Sequence, residues 1–235
     1  MKVVTSGGLG DAAMAFAKLF SCDAPFHPFH RNDLSTLDLT HLTNKRGRGN
    51  IGNSIEIFYK FQGINPTIIY LDKGGSTKWL KQNTYDYYLG SSWCKDNGDL
   101  ESWDINPFPP IKFNKIPGID VIISPISQWD MGRVIQFDDL KKYVRKLKRA
   151  VTYVGWAPLE YAKQVDTLPG KNLLNWGNIN DLTNLIGSSK TVVGLIGYVT
   201  QMAGLMHKEV IWTGEVKPND RFHPVCDSTY ISKLA

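Results

Sequence analysis

The feature that most constrains this fold is an alternation of short β-branched runs with amphipathic stretches in the second half of the chain. Residues 120–125 (DVIISP) predict a buried strand, and residues 138–149 predict the helix that follows it. The apolar side chains of that helix recur at i, i+3, i+4 and i+7, namely at Leu140, Tyr143, Val144 and Leu147. This alternation is typical of βαβ units and predicts an α/β fold with a parallel sheet.

The pattern continues to residue 214. Further strands are predicted at 151–155, 171–176, 191–194 and 209–214. A helix opened by Asn178 is predicted with Ile179, Leu182, Leu185 and Ile186 on one face, and another over 198–206. Together these elements predict one Rossmann-like unit.

The first half is less regular. It predicts a strand over 2–5, a helix over 11–20, a glycine loop over 47–52 leading into a second helix, and a strand over 67–71. Ala13, Phe16, Ala17 and Phe20 form the buried face of the first helix, and Ile51, Ile55, Phe58 and Tyr59 that of the second. No clear pattern covers 73–117, and turn residues at Pro117 and Gly118 place a domain boundary there. The predicted domains are 1–117 and 118–235.

Composition excludes several classes of protein. With 235 residues, 42% hydrophobic and 21% charged, the chain is not disordered, collagen-like or a coiled coil. A net charge of +5 permits an anionic partner but is too small for a dedicated nucleic-acid binder. Three widely spaced cysteines favour a reducing compartment. The longest apolar stretch, 192–206, contains polar residues and is too short to span a bilayer, so we expect a cytoplasmic protein.

A glycine-rich turn, Ser6-Gly7-Gly8-Leu9-Gly10-Asp11, lies between the first predicted strand and helix. Glycines at Gly8 and Gly10 let the backbone approach a ligand, and a helix N-terminus favours negative charge. The spacing matches neither the dinucleotide fingerprint nor the phosphate-binding loop of nucleotide triphosphatases. Asp11 has two interpretations at this stage, a helix cap and a catalytic base.

A second candidate is the basic loop of Lys45, Arg46 and Arg48, interleaved with glycines before a helix, which suits an anion such as phosphate. A solvated basic turn is the alternative. The six basic residues within 138–149 favour a solvated face over an anion-binding surface. The sequence has no Asp-x-Asp pair and no histidines at ligand spacing, so it predicts no metal site.

Two segments carry a family resemblance. Residues 3–11 (VVTSGGLGD) and residues 178–224, which include a VVG strand and a glycine-started helix, resemble GT-B glycosyltransferases of the ADP-heptose type that build lipopolysaccharide cores. The resemblance implies two Rossmann-like domains facing a cleft. It also implies that Asp11 is the general base. The donor's diphosphate is then expected to be bound by Ser127, Arg133, Gly197 and Tyr198, together with Gly8 and Gly10 of the glycine-rich turn.

The expected function is metal-independent, inverting transfer of a sugar from a nucleotide-sugar, used as co-substrate with no further cofactor, to an acceptor hydroxyl. A lipopolysaccharide core or another polyanion, such as modified DNA, fits the basic segments, although nucleic acid is the less favoured acceptor. The alternative is a GT-B-like protein that binds a nucleotide or nucleotide-sugar without transferring it. A sugar-nucleotide 2-epimerase ranks last, because the sequence shows no carboxylate and histidine set suited to it.

Overall fold

A computed structural model describes residues 1–20, 36–44, 51–72, 74–89, 109–128, 132–215, 217 and 227–234. The chain divides into two compact units, Met1–Lys112 and Phe113–Ala235. The division lies five residues before the predicted boundary at 117/118. Residues 114–116 belong to the second unit because the backbone N–H groups of Asn114 and Ile116 donate to Asn184 Oδ1 and Ser188 Oγ, both at 2.7 Å.

The first unit is a parallel sheet with helices. Its elements are β1 (Lys2–Ser6), α1 (Leu9–Lys18), β2 (Asp38–Asn44), α2 (Ile51–Gln62), β3 (Thr67–Leu71), α3 (Gly75–Gln82) and β4 (Tyr87–Tyr88). The strand order is β3-β2-β1-β4, and every pair is parallel. The two predicted strands and two predicted helices of this half are therefore confirmed, and β2, α3 and β4 are additional. Of the predicted glycine loop over 47–52, residues 47–50 lie outside the described residues, and residues 51–52 begin α2.

Helix α1 packs its aromatic face against α2. Phe16 lies edge-on to Phe58 at 5.8 Å between ring centroids, and both rings are buried. Ala13, Phe16, Ala17 and Phe20 are buried as predicted, but α1 is buried on all sides from Ala12 to Lys18 and ends two residues before Phe20. This packing fixes the N-terminal turn of α1 beside the carboxyl end of β1, where the glycine-rich turn lies.

The second unit is a larger parallel sheet. Its elements are β5 (Val121–Ser124), β6 (Ile126–Gln128), β7 (Arg133–Val134), α4 (Phe137–Lys146), β8 (Val151–Gly155), α5 (Leu159–Val165), β9 (Lys171–Leu174), α6 (Ile179–Ser188), β10 (Thr191–Gly194), α7 (Tyr198–Leu205), β11 (Glu209–Thr213) and β12 (Ser228–Ile231). The order β12-β11-β10-β5-β8-β9 is that of a doubly wound sheet, and β6 and β7 form a separate antiparallel pair. The α/β fold with Rossmann-like units is confirmed.

Local sequence explains the helix positions in this unit. Asn178 caps α6 as predicted, because its side-chain oxygen accepts from Asn180 N at 2.8 Å. Helix α4 buries Leu140 and Val144, with Tyr143 and Leu147 partly buried beside them. Its lysines and arginines therefore lie away from the core. Among the described residues, no helix has the length and apolar character needed to cross a membrane.

An ion-pair network joins the amino ends of four neighbouring strands of the second sheet. The Arg149 guanidinium donates to both carboxylate oxygens of Asp120, at 2.8 and 3.1 Å, and to Thr191 Oγ1 at 2.8 Å. Thr191 Oγ1 donates in turn to Glu209 Oε2. These residues stand just before β8 and β5 and at the first positions of β10 and β11, so the network links β8-β5-β10-β11.

Replacing Arg149 with Met is expected to lower the free energy of unfolding of the second unit by about 1 kcal/mol at neutral pH, since the pairing is bidentate but partly exposed. The Arg149 hydrogen bond lowers the pKa of Asp120, so this contribution is lost as the pH falls through that lowered pKa. Urea titrations of R149M at pH 7 and at progressively lower pH measure it. Lys142→Met, at an exposed position of α4, is the control, and an equal loss in both variants contradicts the prediction.

Candidate functional site

The turn between β1 and α1 is held by backbone and side-chain hydrogen bonds. Gly7 N donates to Leu42 O at 3.0 Å, and Gly8 N donates to Asp11 Oδ2 at 2.9 Å. Gly8 is the N-cap of α1, and Asp11 is the third helical residue. Asp11 is therefore not the N-cap residue, but its carboxylate does cap the helix by accepting from the N-cap backbone.

Only glycine fits at position 7. Its φ of +119° lies in the region that L-residues avoid, and an added Cβ would lie 2.4 Å from Asp11 Oδ2. Gly8 has no such restriction, since its Cβ would lie 3.8 Å from that oxygen, and Gly10 lies within the first turn of α1. The close approach of backbone to carboxylate at Gly7 keeps the Asp11 side chain beside the turn.

A buried polar layer lies beneath this turn. His41 on β2 is fully buried, and its Nε2 lies 3.2 Å from Gly7 O. Burial lowers the pKa of His41 to about 4, despite the opposing hydrogen bond with Gly7, so the ring is neutral at pH 7. The Tyr59 hydroxyl donates to Ala12 O at 3.2 Å, and burial and then the charge of Asp11 raise its pKa.

In the second unit, the switch point of the sheet lies between β5 and β10. Strand order runs outward from β5 through β8 and β9 on one side, and from β10 through β11 and β12 on the other. Ligands of doubly wound sheets bind beyond the carboxyl ends of the strands at such a point. The loops after β5 and β10 meet here, since Ser127 Oγ donates to Ile196 O.

Gly197 is the N-cap of α7 and lies against Ser127. A Cβ at position 197 would lie 2.6 Å from Ser127 Oγ, so a larger residue would displace the Ser127 hydroxyl from this position. Thr200 is buried and donates to Leu195 O at 2.9 Å. The structure thus brings Ser127 and Gly197 together at the start of a helix, as the resemblance implies.

Two other predicted donor residues lie nearby in different environments. Tyr198 is buried, and its hydroxyl is 2.8 Å from Thr183 Oγ1 on α6, so only its backbone faces the helix terminus. Arg133 is partly exposed and lines a pocket of about 380 Å³ together with Ile196, Glu215 and Lys233. This pocket lies at the carboxyl ends of β10, β11 and β12.

Two exposed tryptophans were not among the predicted site residues. Trp156 follows β8 directly, Trp176 follows β9 by two positions, and they are 52% and 55% exposed. Asn175 joins the two loops, because its side chain accepts from Ala157 N and donates to Ala157 O, both at 2.9 Å. The sequence signal that could have identified them is an aromatic residue directly after a strand. For Trp176 this signal was hidden, because 171–176 was predicted as one strand, whereas β9 ends at Leu174.

The basic loop of Lys45, Arg46 and Arg48 lies outside the described residues. Among those that are described, no three His, Cys, Asp or Glu side chains come together as metal ligands would. The described candidates are therefore the Asp11 turn in the first unit and the switch-point loops with the tryptophan pair in the second.

Solved structures resemble this chain over 98% of its length. One is a glycosyl transferase of family 9 from Veillonella parvula, with a TM-score of 0.59, 9% identity and 86% of that chain covered. Another is the E. coli heptosyltransferase WaaC, solved with ADP, with a TM-score of 0.60, 9% identity and 92% of that chain covered. This chain has the GT-B fold.

A third GT-B structure is the E. coli ADP-heptose LPS heptosyltransferase II, with a TM-score of 0.58, 12% identity, and 98% of this chain and 90% of that chain covered. No protein-family profile matches the sequence. No curated protein sequence matches it either. The resemblance to heptosyltransferases is thus confirmed at the level of fold, and these structural neighbours are glycosyltransferases. Sequence identities of 9–12% establish a shared fold and not a shared reaction.

Proposed function

We propose that this protein is a metal-independent, inverting glycosyltransferase that moves a sugar from a nucleotide-sugar to an acceptor hydroxyl. The observation that carries the proposal is the meeting of Ser127 and Gly197 at the switch point of the second sheet, in a chain whose whole fold matches glycosyltransferases. A glycine-started helix at a switch point is suited to a diphosphate, because its free N–H groups and dipole favour negative charge.

The donor's diphosphate is assigned to the α7 N-terminus, with Arg133 as the nearby cation. Charge grows on the diphosphate as the sugar departs, and fixed donors and cations stabilise that charge most when they are already in place. Backbone groups from Gly197 and Tyr198 and the guanidinium of Arg133 supply this stabilisation without a metal ion. The role of Tyr198 is confined to its backbone because its hydroxyl is bonded to Thr183.

The nucleobase of the donor is assigned to the tryptophan pair, Trp156 and Trp176. Neighbouring strands are about 4.8 Å apart, so the ends of β8 and β10, two positions apart in the sheet, are separated by about 10 Å. This separation is comparable to that between the base and the diphosphate of a nucleotide. Trp156 directly follows β8, and Trp176 lies two residues after β9, the next strand outward. Both rings are exposed, and the Asn175 clamp holds their loops.

Asp11 is assigned as the general base of the transfer. It takes the proton of the acceptor hydroxyl, whose oxygen attacks the anomeric carbon on the face opposite the diphosphate. The bond from that carbon to the diphosphate oxygen breaks, and the electron pair leaves with the diphosphate, so the configuration inverts. The bond from Gly8 N orients the carboxylate for this task.

The acceptor is proposed to be a sugar hydroxyl of an anionic molecule such as a lipopolysaccharide core. Lys45, Arg46 and Arg48 are proposed to bind the anionic groups of that molecule. Acceptor affinity is then expected to fall as salt rises. DNA with modified bases is a less favoured acceptor of the same charge, and would give a steep salt dependence. Salt titrations with each acceptor separate the two, and a salt-insensitive affinity contradicts an anionic acceptor.

Non-catalytic binding of a nucleotide or nucleotide-sugar is the second candidate function. The observations that favour it are the apolar residues Leu195 and Ile196 before Gly197, and the engagement of Thr200 within the α7 cap. Incubation with a panel of nucleotide-sugars and phosphorylated sugar acceptors distinguishes the two candidates. Product formation supports transfer, whereas thermal stabilisation by a donor with neither transfer nor hydrolysis supports binding alone.

Replacing Trp176 with Ala is expected to weaken binding of the nucleoside diphosphate that best stabilises the protein by about tenfold, since stacking on one ring contributes about 1–3 kcal/mol. Trp176→Phe should retain most of the affinity because a ring remains. Titration calorimetry measures both. Tyr70→Ala removes a 48% exposed aromatic ring from β3 in the first unit as a control, and unchanged affinity in W176A contradicts the assignment.

A further inference from the structure

The peptide unit between Gly7 and Gly8 is held at both of its polar ends. Its N–H, on Gly8, donates to Asp11 Oδ2 at 2.9 Å. Its C=O, on Gly7, lies 3.2 Å from His41 Nε2. Glycines on both sides of a peptide leave its orientation weakly constrained by local backbone preference. The two contacts therefore constrain the peptide directly, while the bonds from Gly7 N to Leu42 O and from Ala12 N to Gly8 O hold its flanks.

His41 is suited to hold that carbonyl. The ring is fully buried on β2, and Tyr59 packs against it at 6.0 Å between ring centroids. Since Gly7 O can only accept, His41 Nε2 must carry the hydrogen and Nδ1 must be the unprotonated nitrogen. His41 Nδ1 is buried and has no hydrogen-bond partner within the described part of the chain, so the Gly7 contact is the one polar contact described for this ring.

We propose that His41 is a positioning residue that fixes the Asp11 carboxylate by holding the Gly7–Gly8 peptide in one orientation. Rotation of that peptide would withdraw the Gly8 N–H from Asp11 and leave the buried imidazole N–H without an acceptor. A hydrogen bond accepted at the carbonyl also polarises the same peptide and strengthens donation from its N–H. The benefit to catalysis rests on the proposed function of Asp11 as base, whereas the constraint on the carboxylate does not.

The first test uses the wild-type protein. The ¹⁵N chemical shifts of the His41 ring at pH 7 report which nitrogen carries hydrogen. The expected result is a neutral ring with hydrogen on Nε2. A ring with hydrogen on Nδ1 alone, or on both nitrogens, overturns the proposal whatever the protein catalyses.

The second test compares two amides that differ by one methylene. The Nε2 of Gln reaches the position of histidine Nε2 and can donate to Gly7 O, whereas the amide of Asn is too short to do so. Amide hydrogen exchange at Gly8 is expected to be at least about tenfold faster in His41→Asn than in wild type, and near the wild-type rate in His41→Gln. Equal exchange in the two variants overturns the proposal.

Thr5→Val is the matched control. Thr5 is buried on β1, in register with His41, and its Oγ1 makes no well-formed hydrogen bond with the described residues, although its proximity to the Tyr59 hydroxyl lowers the pKa of Tyr59. The variant therefore disturbs the same layer without touching Gly7, and Gly8 exchange should stay within about twofold of wild type. An acceleration in Thr5→Val equal to that in His41→Asn overturns the specific role of His41.

Turnover separates this inference from the proposed function. With donor and acceptor saturating, kcat is expected to fall up to about 100-fold in His41→Asn, with little change in donor KM and with recovery in His41→Gln. Fast Gly8 exchange with unchanged kcat refutes the catalytic benefit of the constraint. If Asp11→Asn also leaves kcat unchanged, Asp11 is not the base and the proposed function fails, while the exchange and ¹⁵N results still decide the role of His41.

Discussion

Transfer by an Asp11→Asn variant is expected to be about 1,000-fold slower than by wild type, because general base catalysis contributes roughly 10²–10⁴-fold. Asparagine retains an oxygen that accepts from Gly8 N, so the cap of α1 and the shape of the turn are preserved. It loses the capacity to take a proton from the acceptor hydroxyl. The loss should therefore lie in kcat, measured as product formed with donor and acceptor saturating.

Asp138→Asn is the matched control for this prediction. Asp138 also lies in the first turn of a helix, α4, but in the second unit, where its side chain is exposed and does not line the pocket of Arg133. It should transfer at the wild-type rate. A folded Asp11→Asn protein that transfers as fast as wild type contradicts the role of Asp11 as base and leaves it as a capping residue alone.

Sequence periodicity predicted most of the second unit for a physical reason, although β6, β7, α5 and β12 were not predicted. The central strands of this unit are buried on both faces, so the runs at Val151–Gly155 and Thr191–Gly194 consist mainly of β-branched and aromatic residues, and they have the same bounds in the structure as in the prediction. Helices between such strands must bury one face, which makes their period visible in the sequence. The cap at Asn178 followed from its chemistry alone.

The elements that were missed lack those signals. Strand β2 (DLTHLTN) has its two leucines three positions apart, without the two-residue alternation of a strand, yet Thr40, His41 and Thr43 are buried along with the leucines. Helix α3 (GSTKWLKQ) has no buried residue and only two large apolar side chains, Trp79 and Leu80, which are too few to show a repeat in the sequence. Both elements depend on contacts with distant parts of the chain, which a local pattern does not contain.

The candidate site divides in the same way. Asp11 was predicted as a candidate because it lies in a glycine-rich turn after a strand, which is a local signal, and Gly197 was predicted from the family resemblance. His41 carries no such signal, because the role proposed for it depends on the pairing of β1 with β2, in which Thr5 lies opposite His41. The tryptophan pair became visible only once β8 and β9 were known to be neighbours. Residues that act across strands require the topology.

The first unit is expected to lose about 3 kcal/mol of stability between pH 7 and pH 4 through His41 alone. Its pKa is about 4 in the folded protein, where burial disfavours the charged ring, and about 6.5 when unfolded. The unfolded chain therefore binds the extra proton first. The stabilisation that depends on neutral His41 is fully present above about pH 6.5. It decreases as the pH falls and stops decreasing near pH 4, where the folded protein also takes up the proton.

Urea titrations followed by NMR signals of Val3 and Leu39 in the first unit measure this dependence. In His41→Gln the group that titrates is gone, so the difference in unfolding free energy between wild type and variant should change by about 3 kcal/mol over this range. His207→Asn, which removes an exposed histidine of the second unit, should leave the dependence unchanged. If wild type and His41→Gln lose the same stability on acidification, His41 is not held neutral by burial, and another group accounts for the loss.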